Sequence, residues 1–242
     1  MQKLFITLSI VFLATSLAQA QLDGMLKKGQ QVLSGGGAIS QDEAGRGLKE
    51  ALNKGVDEAV KSLSAQDGYF KSPYKILMPK EAQAVADALK SVPGFSNVEA
   101  ELTERMNRAA ELAAKKATPI FASAIKQMTF QDALNILTGE QNAATEYLKK
   151  TTSKQLYSEF KPVISQSLDE VNAREYWRNA VNAYNKIPLV QKTNPELDDH
   201  VTQKALDGLF SLVEKKERSI RSDIGQRDSD LLRKVFAKQD KK

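Results

Sequence analysis

Cysteine is absent from this 242-residue chain, and histidine and tryptophan each occur only once. Without cysteine there can be no disulfide, thiolate nucleophile or cysteine-ligated zinc. The single histidine, His200, argues against zinc catalysis, which usually recruits two or three histidines. No G-x-S-x-G nucleophile motif and no calcium-loop pattern occurs either. The composition therefore predicts no catalytic residues, no metal site and no cofactor.

Long hydrophobic runs are also scarce, and the pronounced one lies at the N-terminus. Residues 1–20 read MQKLFITLSIVFLATSLAQA: a basic start, an apolar stretch and a small-x-small Ala-Gln-Ala ending. This pattern is typical of a secretory signal peptide cleaved after Ala20. An uncleaved anchor is the alternative, although the run is short for a spanning helix, which needs about 20 residues. We expect a periplasmic or otherwise exported protein, soluble after cleavage and without a later transmembrane segment.

The positive charge is unevenly placed. The formal net charge is +5, and the stretch from Glu214 to Lys242 holds 10 basic and 6 acidic residues. This end is suited to contact acidic partners or anionic lipid, although a solvated helix surface explains it more simply. Nucleic acid is not an expected partner, because the protein is expected to be exported.

Helical periodicity dominates the rest of the chain and predicts an all-α, bundle-like single domain. Residues 40–43, SQDE, form a capping box that starts the first helix. In that helix, Gly47 and Gly55 stand in a stripe of small residues, which predicts close approach by a neighbouring helix. Two further helices are predicted, from Pro79 to about Lys90 and from Asn97 onward, the second with a kink or restart at Thr118-Pro119. The remaining predicted helices are at 130–138, 141–150, 153–173, 174–185, 196–222 and 228–238. Pro162 is suited to bend the helix at 153–173.

Residues 66–79, QDGYFKSPYKILMP, are the least helical part of the chain after the signal peptide. Their Asp-Gly turn signal and two prolines predict a short extended strap across the helices, with a short strand as the alternative. The predicted organisation is a signal peptide at 1–20, an N-terminal segment with a Gly-rich linker at 21–37, a helical domain at 38–238 and a basic tail at 239–242.

Residues 128–147, MTFQDALNILTGEQNAATEY, concentrate hydroxyls, carboxylates and amides, so they suit either a catalytic loop or a capped helical hairpin. Thr129 is a good N-cap, and Asp132 lies near the positive end of the helix dipole. Gly139 follows the helix where a left-handed residue with positive φ commonly ends it. The capped hairpin is therefore the favoured interpretation.

Three segments resemble one known family: IKQMTFQDALNILTGEQNAATEYLKKTTSKQL at 125–156, KALDGLFSLVEKKERSIR at 204–221 and DLLRKVF at 230–236. They are similar to an exported family of Gram-negative bacteria, domain-of-unknown-function family 4197, over about residues 33–238. The resemblance implies a periplasmic or envelope setting. It brings no activity, cofactor or catalytic residue. The missing cysteine argues against a lipoprotein form.

Two functional classes remain. The first is a non-catalytic binding or interaction module of the cell envelope, whose partner would be an envelope protein, a lipid or a cell-wall component. The alternative is an enzyme with an unrecognised acid–base site. Candidate site residues are Asp132, Glu146 and Lys149 for the second class. Tyr74 and Trp177 belong to aromatic clusters that core packing explains more simply, although a ligand pocket beneath the strap is a secondary possibility.

Overall fold

The computed structural model describes residues 40–79, 82, 98–170, 172–186, 188–189, 192, 194 and 196–237. In this part of the chain it contains α-helices and no strand, which confirms the all-α fold class. The helices are α1 Gln41–Ser64, α2 Val98–Ala114, α3 Ala117–Gln127, α4 Phe130–Thr138, α5 Ala143–Asp169, α6 Ala173–Tyr184, α7 Leu197–Ser222 and α8 Asp230–Phe236.

The two long helices α5 and α7 form the centre of the domain, and α1 and α2 pack against them. Each central helix carries a row of apolar residues at helical spacing that is almost entirely removed from solvent. The rows are Leu148, Leu156, Phe160, Ile164 and Leu168 in α5, and Val201, Ala205, Leu209 and Val213 in α7. Burial of these two facing rows is the main force that holds the bundle together.

The capping box of α1 is present as predicted. The Ser40 N–H donates to Glu43 Oε2 at 2.9 Å, and the Glu43 N–H donates to Ser40 Oγ at 3.1 Å. The small-residue stripe of the same helix does admit neighbouring helices. A Cβ atom added at Gly47 would lie 2.6 Å from Val235 Cγ2, so α8 packs directly on this backbone.

One helix replaces two predicted ones. The predicted helices at 141–150 and 153–173 form the single helix α5, and the expected break between them was wrong. The hydroxyls of Thr151 and Thr152 donate to the carbonyl oxygens of Tyr147 and Leu148, four residues earlier, at 2.8 and 2.6 Å. The Ser153 hydroxyl likewise donates to the Lys149 carbonyl oxygen, so these hydroxyls are satisfied within the helix, which runs on through the polar Thr-Thr-Ser stretch.

The other predicted helix boundaries either agree with the structure within a few residues or fall on residues that it does not describe. The chain restarts after α2 at Ala117, so that Pro119 occupies the first turn of α3, where its missing N–H costs nothing. Leu112 of α2 is 47% exposed. Apart from Pro79 and Ala82, the helix predicted from Pro79 to Lys90 lies outside the described residues, and so do the signal peptide, the linker and the basic tail. Among the helices of the described residues, none is both long and apolar enough to cross a bilayer.

Candidate functional site: the strap groove

The strap, residues 66–79, joins α1 to the rest of the bundle and is turn-rich to residue 74 and non-helical from 75 to 79. Asn107 of α2 fixes its second half. The Ile76 N–H donates to Asn107 Oδ1 and Asn107 Nδ2 donates to the Ile76 carbonyl, both at 2.8 Å. Asn107 is fully buried. Its amide thus pairs with the strap backbone in the way that a neighbouring strand would.

Glu111, one turn further along α2, fixes the first half of the strap. Its Oε1 atom accepts the N–H groups of Tyr69 and Phe70 at 3.1 and 3.2 Å. Arg108 then pairs with Glu111 at 2.9 Å and with Asp67 at 2.7 Å. The Arg108 hydrogen bond holds the pKa of the Asp67 carboxyl below its usual value. A charged network therefore fixes the turn to α2.

Tyr69 fixes the strap to α7 as well. Its ring is completely buried, and its hydroxyl donates to the Ala205 carbonyl oxygen at 2.7 Å. Burial raises the pKa of this hydroxyl, so it stays protonated and remains a donor. Close approach depends on Gly208, where an added Cβ would lie 3.0 Å from Tyr69 Cε1. The strap is thus held by two helices at once.

The remaining edge of the strap borders an open groove. Burial alternates along it: Ile76 and Met78 point inward, whereas Lys75 and Leu77 are exposed, Leu77 by 62%. His200 of α7 reaches across, with Nε2 3.0 Å from the Leu77 carbonyl oxygen. The groove between the strap and α7 has a volume of about 560 Å³. We call it the strap groove.

A second groove adjoins the first. It has a volume of about 340 Å³, and Pro73 and Tyr74 line both grooves. The α7 residues that line the pair fall in two adjacent rows, each with a spacing of four residues, and so form one stripe along the helix: His200, Lys204, Gly208, Leu212 and Lys216 in one row and Asp207, Ser211, Lys215 and Ser219 in the other. The two grooves therefore follow a single face of α7.

Of the candidate site residues, Tyr74 alone lines the grooves. Trp177 lies in α6 and is 2% exposed. Within the described residues its indole N–H has no hydrogen-bond partner. Because its ring is enclosed, Trp177 is a core residue at this position and has no exposed face to offer to a ligand.

Asp132, Glu146 and Lys149 do not gather around a groove or cavity of the described residues. Asp132 forms a capping box with Thr129, the predicted N-cap: its Oδ2 accepts the Thr129 N–H at 2.9 Å and the Thr129 hydroxyl at 2.7 Å. The hydroxyl bond lowers the pKa of the Asp132 carboxyl. Glu146 and Lys149 are exposed on α5. The capped-hairpin interpretation of this stretch accounts for Asp132 fully.

Gly139 corrects one detail of that hairpin. It ends α4 with φ −83° and ψ −167°, so the predicted positive φ was wrong. The carbonyl oxygens at the end of α4 find partners elsewhere. Arg221 Nη2 donates to the Ile136 oxygen at 2.9 Å, and the Thr138 hydroxyl donates to the Leu134 oxygen at 2.8 Å. With these acceptors satisfied, the helix does not need a left-handed cap.

One polar cluster was not anticipated from the sequence. The Tyr157 hydroxyl donates to Asp199 Oδ1, and Lys161 Nζ lies 3.3 Å from the same hydroxyl. The hydrogen bond to Asp199 raises the pKa of Tyr157. A raised pKa makes the phenolate less accessible, which is opposite to what a tyrosine general base requires. This cluster therefore joins α5 to α7 as a structural contact.

Apart from Tyr74, the groove residues were not among the candidates, because His200 and the α7 lysines were not selected from the sequence. The spacing of these residues along α7 can be read from the sequence. That they line a groove depends on the position of the strap, which the sequence does not give. Within the described residues, no group of three or more His, Asp or Glu side chains is placed to hold a metal ion.

All of the residues that build this site lie within the segment that one family model matches. The model of a family described as "Protein of unknown function (DUF4197)" matches residues 38–237. The chain belongs to this DUF4197 family. The match confirms the family resemblance seen in the three sequence segments. No curated protein and no solved structure matches the chain.

Proposed function

We propose that this DUF4197 protein is an exported, non-catalytic binding module of the cell envelope that holds its ligand in the strap groove. The observation that carries the proposal is the groove itself, which is open to solvent with a volume of about 560 Å³. Ligand sites of proteins commonly have volumes of about 300–1,000 Å³ and are largely pre-formed.

The groove wall is held rigidly enough to serve as a pre-formed site. Asn107, Glu111 and Tyr69 hold the strap from the sides that face the bundle. The side that faces the groove presents Tyr74 and the exposed Leu77, which supply aromatic and apolar contact surface. Because the strap is already held against the bundle and only its groove side is exposed, it loses little conformational entropy when a ligand binds.

Export is supported by the sequence of residues 1–20 and is tested by intact mass. We expect the protein recovered from the periplasm to begin at Gln21, with the mass of residues 21–242. Protein that retains Met1 and stays in the membrane fraction would contradict cleavage, although a binding function for the groove would remain open to the next test.

Binding is tested by filling the groove. Ser211 is exposed on α7 and lines the strap groove, so Ser211→Trp places an indole in it. Ser222 is exposed on the same helix and lines neither groove, which makes Ser222→Trp the matched control. Native mass spectrometry of protein purified from envelope extracts should show a co-purifying ligand with the wild type and Ser222→Trp, and not with Ser211→Trp. Equal ligand in all three would contradict the assignment to the groove.

A further inference from the structure

We infer that the strap groove and the adjoining groove together hold one extended, acidic peptide segment of a partner protein. The inference rests on the proposed binding function and adds the class of ligand. Length, backbone geometry and charge each support it independently.

The length of the site suits an extended chain. The stripe on α7 runs from His200 to Ser219, and a rise of about 1.5 Å per residue makes it about 28 Å long. An extended peptide advances about 3.3 Å per residue, so about eight residues would cover this distance. Tyr74 lies at the junction of the two grooves, where a ligand passing from one to the other must contact its ring.

The strap presents a backbone edge toward the ligand. Both the N–H and the carbonyl of Ile76 are bonded to Asn107. Neighbouring peptide groups of an extended chain point in opposite directions, so the Leu77 carbonyl points away from α2 and toward the groove. In the structure, this carbonyl oxygen is hydrogen-bonded to His200 Nε2. A peptide N–H can replace the imidazole at this oxygen, as in the addition of a strand to an exposed edge.

The charge of the walls selects an acidic sequence. Four lysines line the two grooves, Lys75, Lys204, Lys215 and Lys216, of which Lys216 is paired with Glu58 at 2.7 Å. Among the described lining residues, Asp207 is the only carboxylate, and it lies 3.3 Å from Lys204. Complementary charge steers the encounter between partners and disfavours wrong ones. These lysines line the walls of a concave groove. A peptide chain can enter the groove, whereas a flat bilayer surface cannot contact its walls, so we favour a peptide over anionic lipid.

The test uses two fluorescein-labelled probes of about eight residues, one alternating Glu and Val and one alternating Lys and Val, with binding followed by fluorescence anisotropy. We expect the Glu-Val probe to bind the full mature protein and the Lys-Val probe to bind at least about tenfold more weakly. Binding of the Glu-Val probe should weaken as salt is raised, because the lysines are solvent-accessible.

Charge reversal locates the site. Lys204 and Lys215 are exposed in the first and second groove, and the double variant Lys204→Glu/Lys215→Glu should weaken the Glu-Val probe by at least about tenfold. Lys150 and Lys154 are exposed on α5 and line neither groove, so Lys150→Glu/Lys154→Glu changes the net charge equally and should leave binding within about twofold. Thermal melts establish that both variants are folded.

Three results would overturn the inference: no binding of the Glu-Val probe, equal weakening by both double variants, or groove-dependent binding to phosphatidylglycerol vesicles without binding of the peptide. If any of these occurs while Ser211→Trp still removes the envelope ligand, the ligand class is wrong and the binding function stands. If Ser211→Trp also changes nothing, the proposed function fails with it.

Discussion

Glu217 caps the helix that contains Thr145, although the two residues are 72 positions apart in the sequence. Its Oε2 atom accepts both the N–H and the hydroxyl of Thr145 at 2.8 Å, and its Oε1 atom accepts the Ala144 N–H at 3.0 Å. The local N-cap residue, Asn142, makes no side-chain bond of this kind. Arg221 neutralises the buried carboxylate through a bond from Nε to Oε1 of 2.9 Å.

Removing this carboxylate should be costly. Glu217 and Arg221 are 8% and 3% exposed, so Glu217→Ala leaves a buried guanidinium without its partner and two helix N–H groups without an acceptor. We expect a loss of about 3–5 kcal/mol in the free energy of unfolding, measured by urea denaturation. Glu214→Ala breaks an exposed ion pair with Arg218 on the same helix and should cost about 0–1 kcal/mol. Equal losses would contradict the capping role.

Arg227 caps the end of α7 from just beyond the helix, seven and six positions after the residues that it binds. It is 1% exposed, and its Nε and Nη2 atoms donate to the carbonyl oxygens of Ile220 and Arg221 at 2.9 and 2.8 Å. Lysine keeps the charge but lacks the planar fork, so Arg227→Lys should lower the free energy of unfolding by about 2–3 kcal/mol. The control is Arg218→Lys at an exposed position, expected within about 0.5 kcal/mol of the wild type.

Asn107 provides a direct test of the strap attachment. Asn107→Asp keeps an acceptor for the Ile76 N–H but places a carboxylate oxygen where an amide donated to the Ile76 and Thr103 carbonyls. We expect a loss of about 2–4 kcal/mol in stability and faster tryptic cleavage after Lys75. Asn135→Asp, at an exposed site on α4, should change neither. An unchanged cleavage rate at Lys75 in Asn107→Asp would show that other contacts hold the strap.

Gly139 and Gly45 should respond to alanine in opposite directions. A Cβ atom at Gly139 would lie 2.6 Å from the Asn135 carbonyl oxygen and 2.9 Å from Ala143 Cβ, so the cost is steric although φ is negative. Gly139→Ala should destabilise the protein by about 1–3 kcal/mol. Gly45 stands within α1 with open space around it, so Gly45→Ala should stabilise by about 0.5–1 kcal/mol. Thermal melts of both variants test this contrast.

Glu43 should make the start of α1 sensitive to acid. Hydrogen bonds from the Ser40 N–H and from Lys234 lower the pKa of the Glu43 carboxyl from 4.5 to about 2. A lowered carboxyl pKa means that its stabilising contribution is present above about pH 4.5 and is lost as the pH falls toward 2.

The corresponding measurement is a series of thermal melts across this pH range. Glu43→Gln should melt below the wild type at pH 7, and the difference should shrink as the pH falls through this window. Glu50→Gln, an exposed change on the same helix, should show no such convergence. A constant difference between Glu43→Gln and the wild type at every pH would assign the effect to packing instead of charge.

Local features were predicted well because their causes lie within a few residues. The capping box at Ser40 and the N-cap at Thr129 each connect residues three positions apart, and both form as expected. The all-α class follows from apolar spacing along each helix, which depends only on the geometry of the helix itself. The strap was also predictable, since a turn signal and two prolines interrupt that spacing wherever they occur.

The errors share a different cause. Positive φ at Gly139 was expected from local cap statistics, but Arg221, 85 positions from Ile136, satisfies the helix carbonyl instead. The α5 helix passes through its Thr-Thr-Ser run because the apolar residues on either side pack against α7, and a break would have misaligned them. In both cases, a contact distant in sequence outweighed a local preference.

The sequence by itself determined the helical class, the caps at Ser40 and Thr129 and the strap, because hydrogen bonds and periodicity over a few residues specify them. Only the tertiary structure decided that Glu217 caps α5 and that the lysines of α7 face the strap across two grooves. These features depend on which helix faces lie together. Burial of apolar surface sets that arrangement, and because it is a non-directional force it does not depend on how far apart two residues are in the sequence. The candidate site is therefore a product of packing.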